Sequence, residues 1–343
     1  MAKQSENNGC VWLLLSGVLL LGAFGFVKLL FGATTYVTFT VALLISFVIT
    51  TRLLGKPSVA AAVRNGILLF IFFFGLHFFG NFFLKLLKTI PQQHETFTVS
   101  EAVQKSKMVE GTDTISVYTS NRLWKDNYGN EFSGDLTIRE RDFLRLIDHT
   151  KNYVPPSGGN FWGGLYDHID RNDTPSLDLV LATFEGIHRT RQLNTMEFAE
   201  MVVSCIQDIP YSFVFQDICR PAEYYEEAIA QILRSCPECC IGNVRYGVQT
   251  PVAFLQNLKG DCDTRTVLIY SVLKHFDYDI AILNSDFYKH SILGINIPAS
   301  GAFKIHNGKK YMLWETTAKY YEIGSLPYNF NDVSHWYVVL TSK

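Results

Sequence analysis

One cysteine in this sequence has the surroundings that a reactive thiol needs. Cys262 lies in the run Gly-Asp-Cys-Asp-Thr-Arg at residues 260–265. A thiol attacks a carbonyl carbon as the thiolate, which forms beside a base or a helix N-terminus. The glycine allows a tight turn and Asp261 is a good N-cap, so a helix is predicted over 264–276 with Cys262 in its first turn. The helix dipole favours an anion there, whereas the flanking Asp261 and Asp263 oppose one.

Two further residues have the types and positions of a base and an acid. His290 opens an apolar segment that is predicted to be a strand, and Glu315 lies at the end of another. An imidazole can take the thiol proton and return it to a leaving amine, and a carboxylate can orient that imidazole. We therefore predict a triad of Cys262, His290 and Glu315, with Asp286 as the alternative acid.

Other candidates are weaker or play a different part. His275 lies at the far end of the predicted Cys262 helix, and His306 lies in a turn. Gln207 is a candidate oxyanion donor, whose side-chain amide would act together with the backbone N–H of Cys262. The alternative for Gln207 is a residue at a helix C-terminus that faces water.

These residues carry a resemblance to a known family. The order Gly-Asp-Cys-Asp, then a histidine at a strand start, then Trp-Glu-Thr-Thr at 314–317 resembles the transglutaminase-like superfamily of papain-like thiol enzymes. Gln-Asp-Ile-Pro-Tyr at 207–211 is similar to an element that often precedes the cysteine in bacterial members. The resemblance covers about residues 195–325 and implies a fold of helices and an antiparallel sheet. It departs at Glu315, where animal transglutaminases usually have Asp.

Three apolar segments near the N-terminus predict membrane spans, at about residues 11–31, 36–54 and 66–87. Each approaches the roughly 20 residues that a helix needs to cross a bilayer. The first run is too long for a signal peptide, and no cleavage motif of small residues is obvious. The linker between the second and third spans is basic and lacks acids, so we expect it to be cytoplasmic. An integral, multi-pass membrane protein with an extracytoplasmic or periplasmic soluble domain is predicted.

The rest of the chain is predicted to be α+β. Residues 1–89 form the membrane region, 90–194 a part of strands and helices, and 195–343 the transglutaminase-like core. Helices come first and an antiparallel sheet comes last, which is an α+β layout. A helix is predicted over 136–150, and 161–166 is an aromatic loop that would wall a substrate cleft or pack in the core.

Composition excludes some partners and indicates the state of the cysteines. The net charge of -2 does not indicate a nucleic-acid partner. Cys236, Cys239 and Cys240 have half of a zinc pattern, but no second pair of ligands lies at a suitable spacing. Disulfides are favoured over a metal, with free thiols as the other reading. Besides Cys262, residues 90–343 contain five cysteines, so at least one of them is unpaired. No cofactor or metal is predicted.

The predicted function is that of a membrane-anchored cysteine enzyme that transfers an acyl group through a thioester. Its substrate would be a peptide or protein. Transfer to water makes a peptidase or amidase, and transfer to an amine makes a crosslinking transglutaminase. The resemblance to bacterial members favours hydrolysis. A non-catalytic binding or scaffold protein on the same fold is the alternative, and three spans suggest a membrane-protein partner.

Overall fold

The chain divides into two compact units, Met1–Gln93 and His94–Lys343. The computed structural model of the protein describes four stretches of the chain, residues 8–31, 35–55, 102–155 and 159–343.

The first unit contains helices where the first two spans were predicted. Helix α1 comprises Asn8–Phe31 and helix α2 comprises Thr35–Leu54. Within the four described stretches, only Val37–Leu54 is both long and apolar enough to cross a membrane, and α1 contains a shorter apolar segment. The predicted third span, 66–87, lies outside the described residues. The described residues thus supply one candidate span and not the predicted three.

The second unit opens with a three-stranded antiparallel sheet of β1 (Gln104–Glu110), β2 (Asp113–Lys125) and β3 (Glu131–Arg139). Asp126 shapes the turn between β2 and β3, because its carboxylate accepts the backbone N–H groups of residues 128 and 130 at 2.9 and 2.8 Å. Asn127, Gly129 and Asn130 in this turn are residue types that favour a hairpin.

One predicted helix begins later than expected. Residues 136–139 end strand β3, and helix α3 comprises Glu140–Lys151. Leu136 and Ile138 alternate with less buried neighbours and are both completely buried opposite strand β2. The prediction of helix from 136 was wrong, because pairing with β2 outweighs the local preference for helix in these residues.

Six further helices follow in the second unit. They are α4 (Phe161–Asp173), α5 (Asp178–Arg191), α6 (Thr195–Gln207), α7 (Glu227–Ser235), α8 (Pro251–Asn257) and α9 (Cys262–His275). The aromatic run at 161–166 is therefore the start of a helix and not a loop. Asn160 caps this helix by accepting the N–H of Gly163, and Tyr166 is completely buried in the core.

A five-stranded antiparallel sheet completes the unit, in the order β10-β6-β7-β9-β8. Its strands are β6 (Ile280–Ser285), β7 (His290–Ile295), β8 (Phe303–His306), β9 (Lys309–Trp314) and β10 (Tyr337–Thr341). Helix α9 packs on β6 and β7, which brings the start of α9 close to the start of β7. Asn307 and Gly308 form the two-residue turn between β8 and β9, with φ of 50° and 77°. One hydrophobic cluster joins helices α3 to α6, α8 and α9 to the first sheet and to this sheet.

Two disulfides hold the segment between α6 and α8. They join Cys219 to Cys240 and Cys236 to Cys239, beside a short parallel pair of β4 (Phe213–Val214) and β5 (Cys240–Ile241). Cys205 is free and buried. The prediction of disulfides with an unpaired cysteine left over is confirmed.

Candidate active site

Cys262 lies at the N-terminus of helix α9, as the sequence predicts. Asp261 is the N-cap, and its carboxylate accepts the backbone N–H of Thr264 at 3.2 Å. The Cys262 side chain is buried, with 7% of its surface exposed. The first turn of a helix presents unpaired N–H groups and a positive partial charge to the sulfur.

His290 and Glu315 form a hydrogen-bonded pair. His290 is the first residue of β7, and Glu315 directly follows β9. Nε2 of His290 lies 2.9 Å from Oε2 of Glu315, and their side chains are 9% and 1% exposed. The ring of Phe330 stacks on the imidazole at a centroid distance of 4.8 Å. Among the described residues, Nδ1 of His290 has no hydrogen-bond partner, so this nitrogen is available to a substrate or to the thiol.

The Glu315 carboxylate is held on both oxygens. Oε1 accepts the backbone N–H groups of Thr316 and Thr317 at 2.9 and 2.8 Å, and the Thr317 hydroxyl at 2.6 Å. Burial alone would raise the pKa of Glu315, but the interactions with His290 and Thr317 outweigh it and keep the pKa below its usual value. The Thr-Thr that follows the glutamate in the sequence thus anchors the carboxylate that faces His290.

The alternatives to this pair lie elsewhere. Asp286 accepts a hydrogen bond from the Tyr337 hydroxyl at 2.8 Å, and it is exposed. His275 is in the last turn of α9, and His306 ends β8. The structure therefore brings Glu315, and not Asp286, to the imidazole of His290.

The Cys262 thiol makes its hydrogen bond with Asp263. Sγ lies 3.9 Å from Oδ2 of Asp263, and within the described residues no hydrogen bond joins it to His290. Burial raises the pKa of the Cys262 thiol well above its ordinary value, and the charges of Asp263 and Asp261 raise it further. The backbone N–H of Ser291 acts in the opposite direction. These surroundings favour the protonated thiol of Cys262 over the thiolate.

Gln207 is hydrogen-bonded to the backbone of Glu315. Its side-chain amide donates to the carbonyl oxygens of Glu315 at 2.6 Å and of Tyr321 at 3.1 Å. Gln207 is buried, so the alternative of a residue that faces water is wrong. Both hydrogens of the amide are used by these carbonyl groups. The role of Gln207 as an oxyanion donor stays a prediction.

Arg265, which the sequence analysis did not single out, joins two of the motifs. It is completely buried, and its guanidinium donates to the carbonyl oxygens of Gly260, Ile206 and Pro210 at 2.8, 2.9 and 2.6 Å. The ring of Tyr211 lies 5.6 Å from the same group. Residues 206–211 are thereby tied to the turn that precedes Cys262, which explains why both patterns occur together.

A buried polar network behind Cys262 was also missed. The hydroxyl groups of Tyr166 and Ser291 both donate to Oδ1 of Asp263, and Asn284 donates to the Tyr166 hydroxyl at 3.1 Å. Tyr166, Ser291 and Asn284 are all buried. The tyrosine belongs to helix α4, far from Asp263 in the sequence, so the one indication available beforehand was its place in the aromatic run.

Comparisons with protein-family models, curated proteins and solved structures gave no match for this chain.

Proposed function

We propose that this chain is a cysteine-dependent acyl-transfer enzyme of the transglutaminase-like, papain-like kind. The observation that carries the proposal is the buried hydrogen bond of 2.9 Å between His290 and Glu315, beside a free thiol at a helix N-terminus. An imidazole whose Nε2 faces a carboxylate has Nδ1 free to accept a proton. The antiparallel sheet that packs on the Cys262 helix agrees with the fold that the resemblance implies.

The reaction follows from these groups. His290 takes the thiol proton through Nδ1, and the sulfur attacks the carbonyl carbon of an amide. The C–N bond breaks when the imidazolium returns the proton to the leaving amine, and a thioester remains on Cys262. Water, activated by His290, then releases the acid. Glu315 keeps the imidazole in the productive tautomer and stabilises the imidazolium.

The proposed substrate is a peptide or protein amide, and the proposed acyl acceptor is water. An amine acceptor, which would make a crosslinking enzyme, uses the same residues. The proposed location of the domain is extracytoplasmic, with a membrane-protein partner for the candidate span. The apolar helix Val37–Leu54 and the two disulfides support it, because disulfides persist in oxidising compartments. Proteinase K added to spheroplasts, from which any outer envelope has been removed, should digest the domain if this placement is right.

Acylation by p-nitrophenyl acetate tests the enzyme directly. We expect a burst of p-nitrophenol and an acetyl group on Cys262, detected by mass spectrometry. Cys262→Ser should abolish the adduct and His290→Ala should reduce it at least about a hundredfold, as expected for loss of a general base. Cys205→Ser is the matched control and should leave the burst unchanged. Added methylamine would yield N-methylacetamide if the acceptor is an amine. Equal acetylation of wild type and His290→Ala would refute the proposal.

A non-catalytic binding protein is the second candidate, and one observation favours it. The thiol has a raised pKa and bonds to Asp263 and not to His290. A scaffold on this fold would need no thiolate at all. The acetylation experiment separates the two, because a scaffold would show no burst that depends on His290.

A further inference from the structure

Asp263 is the hydrogen-bond partner of the Cys262 thiol. Its Oδ2 is 3.9 Å from the sulfur and accepts the thiol hydrogen, whereas its Oδ1 accepts the hydroxyl groups of Tyr166 and Ser291. The two hydroxyl groups come from helix α4 and strand β7, so they fix the carboxylate from two sides. The orientation that results leaves Oδ2 facing the sulfur.

We propose that Asp263 is a positioning residue that holds the Cys262 thiol in a protonated resting state, away from His290, until a substrate draws it to the imidazole. This inference rests on the proposed function and adds a regulation of the same site. A carboxylate beside a sulfur stabilises S–H and destabilises S⁻. A cysteine side chain changes partner by rotating between staggered positions about its Cα–Cβ bond.

Several charged or titratable groups face the sulfur, and they decide its protonation together. They are the N-cap Asp261 and Asp263 at the start of α9, Glu315 after β9, Tyr211 before β4, and His290 through its bond with Glu315. Among them, Asp263 is the group that also accepts a hydrogen bond from the thiol. Its removal therefore changes both the charge and the partner of the sulfur.

The test is the rate of alkylation of Cys262 by iodoacetamide at pH 7.5, read by mass spectrometry in four proteins. These are wild type, Asp263→Asn, His290→Ala and the double variant. We expect Asp263→Asn to speed alkylation about tenfold or more, since each unit of pKa changes the thiolate fraction tenfold. The acceleration should be at least about threefold smaller without His290, because the freed thiol then has no imidazole to pair with.

Buried Cys205 serves as an internal control. Burial raises its pKa to about 12, so it should remain unlabelled unless the domain opens. Labelling of Cys205 in Asp263→Asn would overturn the proposal, because the faster reaction would then reflect loosening.

Tyr166→Phe provides a second, independent variant. It removes one of the two hydroxyl donors that orient the Asp263 carboxylate, while the negative charge stays. We expect faster alkylation of Cys262, by a smaller factor than in Asp263→Asn, with Cys205 still unlabelled; an unchanged rate would show that the Tyr166 hydroxyl does not hold Asp263 against the thiol.

The failures of the two proposals are distinguishable. If His290→Ala has no effect in either background, the proposed enzyme function fails. If His290→Ala slows alkylation but Asp263→Asn does not change it, or changes it equally with and without His290, the role of Asp263 is refuted.

Discussion

Replacing Glu315 with Gln tests the geometry of the acid more sharply than deleting it. Oε1 of Glu315 accepts three hydrogen bonds, two from backbone N–H groups and one from the Thr317 hydroxyl. In Glu315→Gln the amide oxygen must take this position, because the NH₂ group cannot accept a hydrogen bond. The NH₂ group is then left at the position of Oε2, facing Nε2 of His290.

The consequence is an imidazole in the wrong tautomer. An NH₂ donor that faces Nε2 requires this nitrogen to be unprotonated, so the neutral ring carries its proton on Nδ1 and cannot take the thiol proton there. Loss of the hydrogen bond to a charged carboxylate costs about 1.5–3 kcal/mol, roughly 10- to 100-fold in rate. The change of tautomer adds to this loss, and the same kind of change costs about 10⁴-fold in a serine triad. We expect acylation of Cys262 to fall about 10²- to 10⁴-fold.

The assay is the burst of p-nitrophenol from p-nitrophenyl acetate, with thermal unfolding measured on the same samples. Glu315→Asp is the matched control, because it keeps the negative charge and should retain more activity than Glu315→Gln. A folded Glu315→Gln protein whose burst is within about threefold of wild type would refute the tautomer argument. A Glu315→Asp protein less active than Glu315→Gln would show that side-chain length, and not charge, decides.

Three further predictions concern stability. Burial raises the pKa of Glu200 to about 7, so the folded state loses stability as pH rises from about 4.5 through 7. Glu200→Gln should therefore stabilise the protein by about 3 kcal/mol at pH 8 and not at pH 4, measured by urea denaturation; an equal gain at both would contradict this. Arg265→Lys should cost about 3 kcal/mol, because an ammonium cannot reach three carbonyl groups, and an unchanged urea midpoint would refute it. Removing the Cys219–Cys240 disulfide, with a sequence separation of 21, should cost about 1.5 kcal/mol more in urea denaturation than removing Cys236–Cys239, with a separation of 3; equal costs would contradict the loop-entropy argument.

Features that depend on neighbouring residues were predictable from the sequence. The helix that begins at Cys262 follows from the N-cap Asp261, and the turn at Asn307 and Gly308 follows from the positive φ that both tolerate. His290 and Glu315 were correctly placed at the ends of strands. Their meeting followed from the order of the motifs, since β7 and β9 are neighbours in the sheet.

Features that depend on distant residues were not predictable. The strand over residues 136–139 exists because β2 pairs with it, and nothing local indicates that partner. Tyr166 and Asp263 are 97 residues apart, so neither pattern indicates the other. Arg265 is the last residue of the run at 260–265, but its role depends on three carbonyl groups whose positions around it the sequence does not show. The partner of Cys262 was missed for the same reason, although the acids beside it indicated that a thiolate would be opposed.

The buried groups around Cys262 favour chemistry over a scaffold role. A buried His–Glu pair and a buried guanidinium usually stabilise a fold no better than apolar side chains of similar size. Here Glu315 is bonded on both oxygens, Arg265 is bonded to three carbonyl groups, and the charges of the two residues interact. A scaffold would need none of this, whereas an acyl-transfer site needs an oriented imidazole beside a thiol. The raised pKa of Cys262 is compatible with the same reading if the thiol proton moves to His290 only when a substrate displaces Asp263.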